Sequence, residues 1–366
     1  MTQAYTVHQS LAEVASAFVT FADSRCQGQF GSALYEFLSR RIAQDEELLH
    51  LAAHAPRRPV PQLFLGAVHY LLLQDVQHPL AAYYPSVKFA DALPLDEPAL
   101  YPTFRQYCLD RANSIMELLA TRIVQTNHVT RSSALLPAFT YVAQRAGNAP
   151  ISEIEIGASA GFNLSWDNYR YCYRNTNGFM REIGSDNALL SIDCLVHGDI
   201  LPPLVEPLPK VVYRVGIDLH PIDVHNRDEV LWLRALIWPE RLEYVEFLTQ
   251  AVSIAQTQEL NMIDGDAVEE LPSTLQALNT IAHDSTWCVL SSYMLFQLPD
   301  DARERLESIL ASASKRRVIF WLSLEWYDTQ SPSLLLFTFD NGALAQREML
   351  ARCCGQGDWI EWLVPA

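Results

Sequence analysis

The stretch from Ile151 to Tyr171, ISEIEIGASAGFNLSWDNYRY, constrains the fold more than any other part of the chain. ISEIEI reads as a strand, and Gly157, Ala158, Ser159, Ala160 and Gly161 then place five small residues in a row. Residues without bulk let one backbone segment pass close to another, or to a bound molecule, so the strand is expected to end in a tight turn. A helix is expected to follow, with its first amides available for hydrogen bonds.

The pattern after this stretch extends the reading. Short apolar or β-branched runs recur at 210–219, 260–265, 287–292 and 317–325, and helical periodicity fills the spaces between them. That alternation is what a parallel sheet with crossover helices produces. SLLLFTFD and DWIEWLV are expected to finish the sheet as a strand pair, separated by a segment with an Asn341-Gly342 turn signal. Up to about residue 150 the apolar spacing is mostly helical. The expected fold class is therefore α/β, a Rossmann-like, mostly parallel sheet over 151–366 with an all-helical N-terminal domain over 1–150. Residues 172–209, rich in proline, read as an insertion between the first helix and the second strand.

Composition limits the function classes. Forty-three acidic and 26 basic residues give a formal charge of -17, which repels a phosphate backbone and argues against nucleic acid. No apolar run approaches the roughly 20 residues of a membrane span, and the first 25 residues show no secretory pattern, so a cytoplasmic protein is expected. The seven cysteines lack metal-type spacing and read as reduced thiols, and the histidines offer no ligand set.

Two chemistries fit GASAG. Gly-x-Ser-x-Gly is the spacing of a nucleophile elbow, which would make Ser159 the nucleophile of a hydrolase. An acid and then a late histidine should follow, yet the last histidine is His283, in TIAHDST before the fourth strand. The other reading is a cofactor loop, in which Ser159 is present because it is small. Glu155 could then bind an ammonium, Asp218 could accept ribose hydroxyls, and Asp266 could accept from an adenine amino group. The structural alternatives are a strand-end salt bridge for Glu155, a loop cap for Asp218 and a helix cap for Asp266.

IEIGASAG, VGIDLHP, GDAVEEL and WCVLSSYMLFQLPDD occur in the order of the four motifs of class I S-adenosylmethionine-dependent methyltransferases, which the chain resembles over about 151–340. The resemblance implies S-adenosylmethionine as cofactor, held by Glu155, Gly157, Ser159, Gly161, Asp218, Asp266, Ala267 and Ser291, with no metal. It implies a small-molecule methyl acceptor and no identifiable general base. QTNHVTRSSALLP, EIGASAGFNLSWDNYRY, RVGIDLHPIDV and WLRALIWPERLE also resemble the bacterial family known as domain of unknown function 2332, over nearly the whole chain. That family supplies no reaction, so a non-catalytic nucleotide- or protein-binding module remains an alternative. Gln125, Asn127, Arg131, Asn163, Asp167, Tyr169 and Arg170 are the expected substrate-lining residues, from two segments unusually polar and aromatic. Ion pairing of Arg131 with Asp167, or of Arg170 with another acid, is the competing reading.

Overall fold

The structure, a computed structural model, describes residues 10–28, 31–56, 59–89, 92–95, 98–125, 128–327 and 331–365. ISEIEI forms strand β1, Ile151–Ile156, buried along its whole length. It lies between β5 (Val211–Asp218) and β7 (Thr286–Ser292), parallel to both. Beyond them come β6 (Asn261–Asp264) and β8 (Ile319–Glu325), also parallel. The chain builds outward from β1 to β5 and β6, then returns to the other side of β1 for β7 and β8. The carboxyl ends of β1 and β7 therefore flank the point where the strand order reverses, the place where open α/β sheets bind ligands.

The sheet continues through β9 (Ser333–Asp340), β10 (Ala343–Cys353), β11 (Trp359–Trp362), β4 (Ser191–His197), β2 (Arg170–Arg174) and β3 (Met180–Gly184), to eleven strands, mostly parallel. Three features differ from expectation. The tail is not a single strand pair: β10 forms inside the intervening segment and pairs antiparallel with both β9 and β11. Its first half is exposed, with no alternation of apolar and polar residues to mark a strand, whereas Asn341 and Gly342, both at positive φ, supply the turn into it. The 172–209 insertion, to which the sequence assigns no regular element, contributes β3, β4 and most of β2 to the sheet.

No α-helix follows GASAG. Phe162–Asn168 is a kinked 3-10 segment, with Ser165 outside helical geometry. The hydroxyls of Tyr169 and Tyr171 donate to the carbonyls of Phe162 and Trp166, at 2.8 and 2.6 Å, and fasten the segment to the strand that follows.

The two faces of the sheet differ in chemistry. On one, Ile154, Ile156, Val215, Ile217, Val289 and Trp321 pack with leucines of α11 (Ala267–Ile281) and α12 (Asp300–Ala313) in a continuous apolar core. Full burial of each such side chain is worth roughly 1.5–3 kcal/mol, so this face holds the sheet and the helices together. The other face of β1 presents Glu153 and Glu155, by the alternation of the strand. Trp166 of the 3-10 segment lies over it and stacks at 4.9 Å on Phe139 of α8 (Ser132–Arg145).

The chain divides into two compact units. One comprises residues 127–225 and 247–366 and contains the sheet. The other comprises residues 1–126 and 226–246. Its regular elements among the described residues are helices, α1 (Leu11–Ser24), α2 (Ala33–Ile42), α3 (Glu46–Ala52), α4 (Val60–Gln74), α5 (Pro85–Lys88), α6 (Leu100–Asp110), α7 (Ala112–Thr121), α9 (Arg227–Leu236) and the start of α10 (Leu242–Ala255). The division thus differs from one at residue 150: α8 groups with the sheet, and 226–246 groups with the N-terminal helices. Trp232 explains the second difference, because its ring packs edge-on to Tyr70 and its indole N–H donates to the Ile123 carbonyl. A side chain at Gly66 would stand 3.0 Å from Leu236, so glycine in mid-helix lets α4 and α9 approach closely.

Candidate functional site

The turn after β1 is shaped by left-handed backbone. Gly157, Ser159 and Gly161 all have positive φ, a conformation that glycine adopts at little cost and serine does not. Backbone bonds hold it in place: the amides of Gly157 and Ala158 donate to the Ile217 carbonyl at 2.8 and 3.3 Å, and Ser159 O accepts from Ile222 at 3.0 Å. Asp218 completes the connection. Its Oδ2 accepts the Ser159 amide and its Oδ1 the His220 amide, each at 2.8 Å. The Asp218 carbonyl accepts the Gly265 amide at 2.9 Å, which brings the end of β6 alongside. Asp266 Oδ1 then caps α11 through the Val268 amide at 2.7 Å, and Ala267 is the first residue of that helix.

Glu155 stands at the centre of this arrangement. It is 1% exposed, and its Oε1 accepts from the Asn163 side-chain amide at 2.7 Å. Its Oε2 is buried without a hydrogen-bond partner. Burial pushes its pKa up to about 8, opposed by the Asn163 bond, reinforced by the charge of Asp218 and opposed again by that of Arg131. Glu153, on the same face, accepts from the Trp166 indole, and burial holds its pKa well above the carboxylate range against the pull of Arg214. Arg214 Nε is 3.9 Å from Glu153 Oε2, within Coulombic reach but too far for a hydrogen bond.

Glu155, Gly157, Ser159, Gly161 and Asp218 thus come together, with Asp266 and Ala267 at the neighbouring strand end. Ser291 is placed differently. Its hydroxyl bonds Ser323 at 3.0 Å and accepts the Trp321 indole at 3.1 Å, on the sheet face covered by α11 and α12. Of the expected lining residues, Asn163 reaches Glu155, while buried Arg131 donates to the Gly355 carbonyl at 3.0 Å and stacks 4.2 Å over the Tyr293 ring. Asp167 pairs with Arg214, and Arg170 pairs with Glu182 and Asp186. Tyr169 is buried and spends its hydroxyl on the Phe162 carbonyl. Gln125 belongs to the helical unit, and Asn127 lies outside the described residues. His283 precedes Thr286, which pairs with Ile151 at the start of β1, so it lies at the opposite end of the sheet from Ser159.

Three neighbours of the site had no reading from sequence. A Cβ on Gly157 would stand 2.6 Å from Met294 Cγ, so the Met294 side chain lies directly against the turn. Tyr293, at positive φ, carries Arg131 on its ring. Glu325, at the end of β8, accepts the amides of Met294 and Leu295, both at 2.8 Å. Each left only an indirect trace in the sequence: Tyr293 and Met294 lie inside WCVLSSYMLFQLPDD, and Glu325 closes the apolar run RVIFWLSLE. All seven cysteines are free, and among the described residues no three His, Cys, Asp or Glu side chains group as metal ligands. Nor is any described helix long and apolar enough to cross a membrane.

Fold and site together define a mixed α/β protein with a tight small-residue turn at the end of its central parallel strand. The chain belongs to the family described as an uncharacterized protein conserved in bacteria (DUF2332), whose model matches residues 15–362. Nothing among curated proteins or solved structures matches it.

Proposed function

We propose that the sheet unit binds S-adenosylmethionine and that the protein transfers its methyl group to a small molecule. The observation that carries this reading is the second carboxylate oxygen of Glu155, buried and unpartnered beside the Gly157–Gly161 turn. Leaving such an acceptor unsatisfied costs about 1–3 kcal/mol, and the ammonium of an amino-acid moiety would recover it. Asn163 would keep the carboxylate oriented. Asp218, on the adjacent strand end, offers the acceptors that ribose hydroxyls require. The ordered motifs of the sequence and the reversal of strand order at β1 support the same reading.

The fit has one condition. Met294 covers Gly157, so a cofactor lying on the turn would have to displace a flexible thioether side chain. When bound, the cofactor supplies a methyl group already activated on a sulfonium. The chain's own part is to align the acceptor and exclude water, which needs no catalytic dyad. Calorimetry with S-adenosylmethionine and S-adenosylhomocysteine tests the proposal. Saturable binding, weakened at least tenfold in Glu155→Gln, is expected; absence of binding to a folded protein overturns it.

A further inference from the structure

Within the sheet unit, a cleft of about 280 Å³ opens beside Trp321, Glu325, Tyr327 and Phe337, with Phe296 and Trp326 also lining it. We propose that this cleft binds a small primary amine with a flat apolar body, the ammonium on Glu325 and the body against the aromatic side chains. The inference does not rest on the cofactor reading.

Glu325 carries the argument. It is 3% exposed, and two backbone amides fix its Oε1, whereas its Oε2 is buried and has no partner. A carboxylate pinned in this way is a pre-positioned acceptor, and an N–H donor that reaches it recovers the cost of the unmade bond. The surrounding rings favour a cation, because an aromatic face attracts positive charge. Tyr327 and Phe337 already do so: the Arg347 guanidinium stands 5.5 and 5.3 Å from their centroids. Trp326 and Phe296, 48% and 61% exposed, leave large apolar rings in water beside the cleft, and a flat ligand would cover them.

The two arginines of the lining do not make it an anion site. Arg303 donates to the Leu295 carbonyl at 2.7 Å and stands 3.4 Å from Asp300, and Glu307 follows it one turn later on α12. Arg347 is exposed, where water and salt screen its charge. The net charge of -17 favours a cation at longer range. The volume lies just below the usual range for drug-sized ligands, which restricts the ligand to a small molecule.

The test is binding of phenethylamine to the full-length protein without cofactor, followed by calorimetry, with 2-phenylethanol and 3-phenylpropionate as neutral and anionic counterparts. Saturable amine binding is expected, with both counterparts at least tenfold weaker. Glu325→Gln, which keeps an acceptor for the two amides, should weaken the amine at least tenfold. Trp326→Ala, at an exposed position, should weaken it several-fold, and Glu155→Gln should leave it unchanged, which separates this cleft from the turn after β1. Failure of the amine to bind, equal or tighter binding of the carboxylate, full binding by Glu325→Gln, or an equal loss of amine binding in Glu155→Gln overturns the proposal.

Discussion

The backbone amide of Ser159 donates to the side-chain carboxylate of Asp218 at 2.8 Å. Since Asp218 also accepts the His220 amide, one carboxylate at the end of β5 sets both the small-residue turn and the loop that follows its own strand. Asp218→Ala removes both acceptors at once. Hydrogen bonds to a charged group contribute about 1.5–3 kcal/mol each, so a loss of about 3 kcal/mol is expected in urea denaturation. Asp218→Asn, which keeps one oxygen, should lose less.

Glu155 gives the sheet unit a pH dependence. Its pKa rises from an ordinary 4.5 to about 8 in the folded protein, so the native state holds a proton that the unfolded chain releases. Stability from this group is complete below about pH 4.5 and declines as pH rises towards 8, by at most about 1.4 kcal/mol per pH unit. Glu155→Gln should flatten that decline, read as the difference between variant and parent in denaturation series from pH 5 to 8.5. If an ammonium binds at Glu155, affinity for S-adenosylmethionine should rise over the same interval, with protons released on binding below about pH 8.

His69, in the other unit, contributes with the opposite sign. Its Nδ1 lies 2.9 Å from the Ala235 carbonyl, which can only accept, so Nδ1 carries the proton and Nε2 accepts from Ser86. Burial lowers its pKa from 6.5 to about 4, against the Ala235 bond and with the charge of Arg234. Stability from this group is complete above about pH 6.5 and is lost as pH falls through 4, about 3 kcal/mol in all. The difference between parent and His69→Gln across pH 4–7 measures it.

Trp166 and Glu153 should behave as a coupled pair. Trp166→Phe keeps the stack on Phe139 but removes the indole donor, leaving a buried carboxyl less satisfied. A loss of about 2 kcal/mol is expected. In a double-mutant cycle with Glu153→Leu, which removes the acceptor, the two losses should fall short of additivity by 0.5 kcal/mol or more.

Gly157→Ala puts a Cβ into the Met294 side chain and strains a backbone at φ +76. A drop in thermal midpoint of several degrees is expected. Met294→Ala in the same chain should restore only the steric share, since the backbone strain persists.

The legibility of the fold followed the clarity of each pattern. β1, β7 and β8 are apolar runs bounded by turns, and they stand within two residues of where the sequence places them. β10 escaped because half of it faces water, and β2 to β4 escaped because proline and charge surround them. At the candidate site, Glu155, Gly157 and Asp218 were legible because a strand end and a small-residue turn fix their positions. Glu325 and Met294 were not, since only the pairing of β1 with β7 and of β7 with β8 brings them near. WDNYRY raised the opposite difficulty: its polar side chains looked available for a substrate, yet Asp167 and Arg170 are engaged in ion pairs.

The placement of Trp232 has a consequence for biosynthesis. The apolar cluster that holds the N-terminal helices together includes Trp232 and Ala235, roughly a hundred residues beyond the rest of it in the chain. At translation rates of about 5–20 residues per second, the emerging helices wait on the order of 5–20 seconds for the residues that complete their core. During that interval the apolar surface of α4 that receives α9 is a natural target for a chaperone. Slower synthesis lengthens that exposure in proportion.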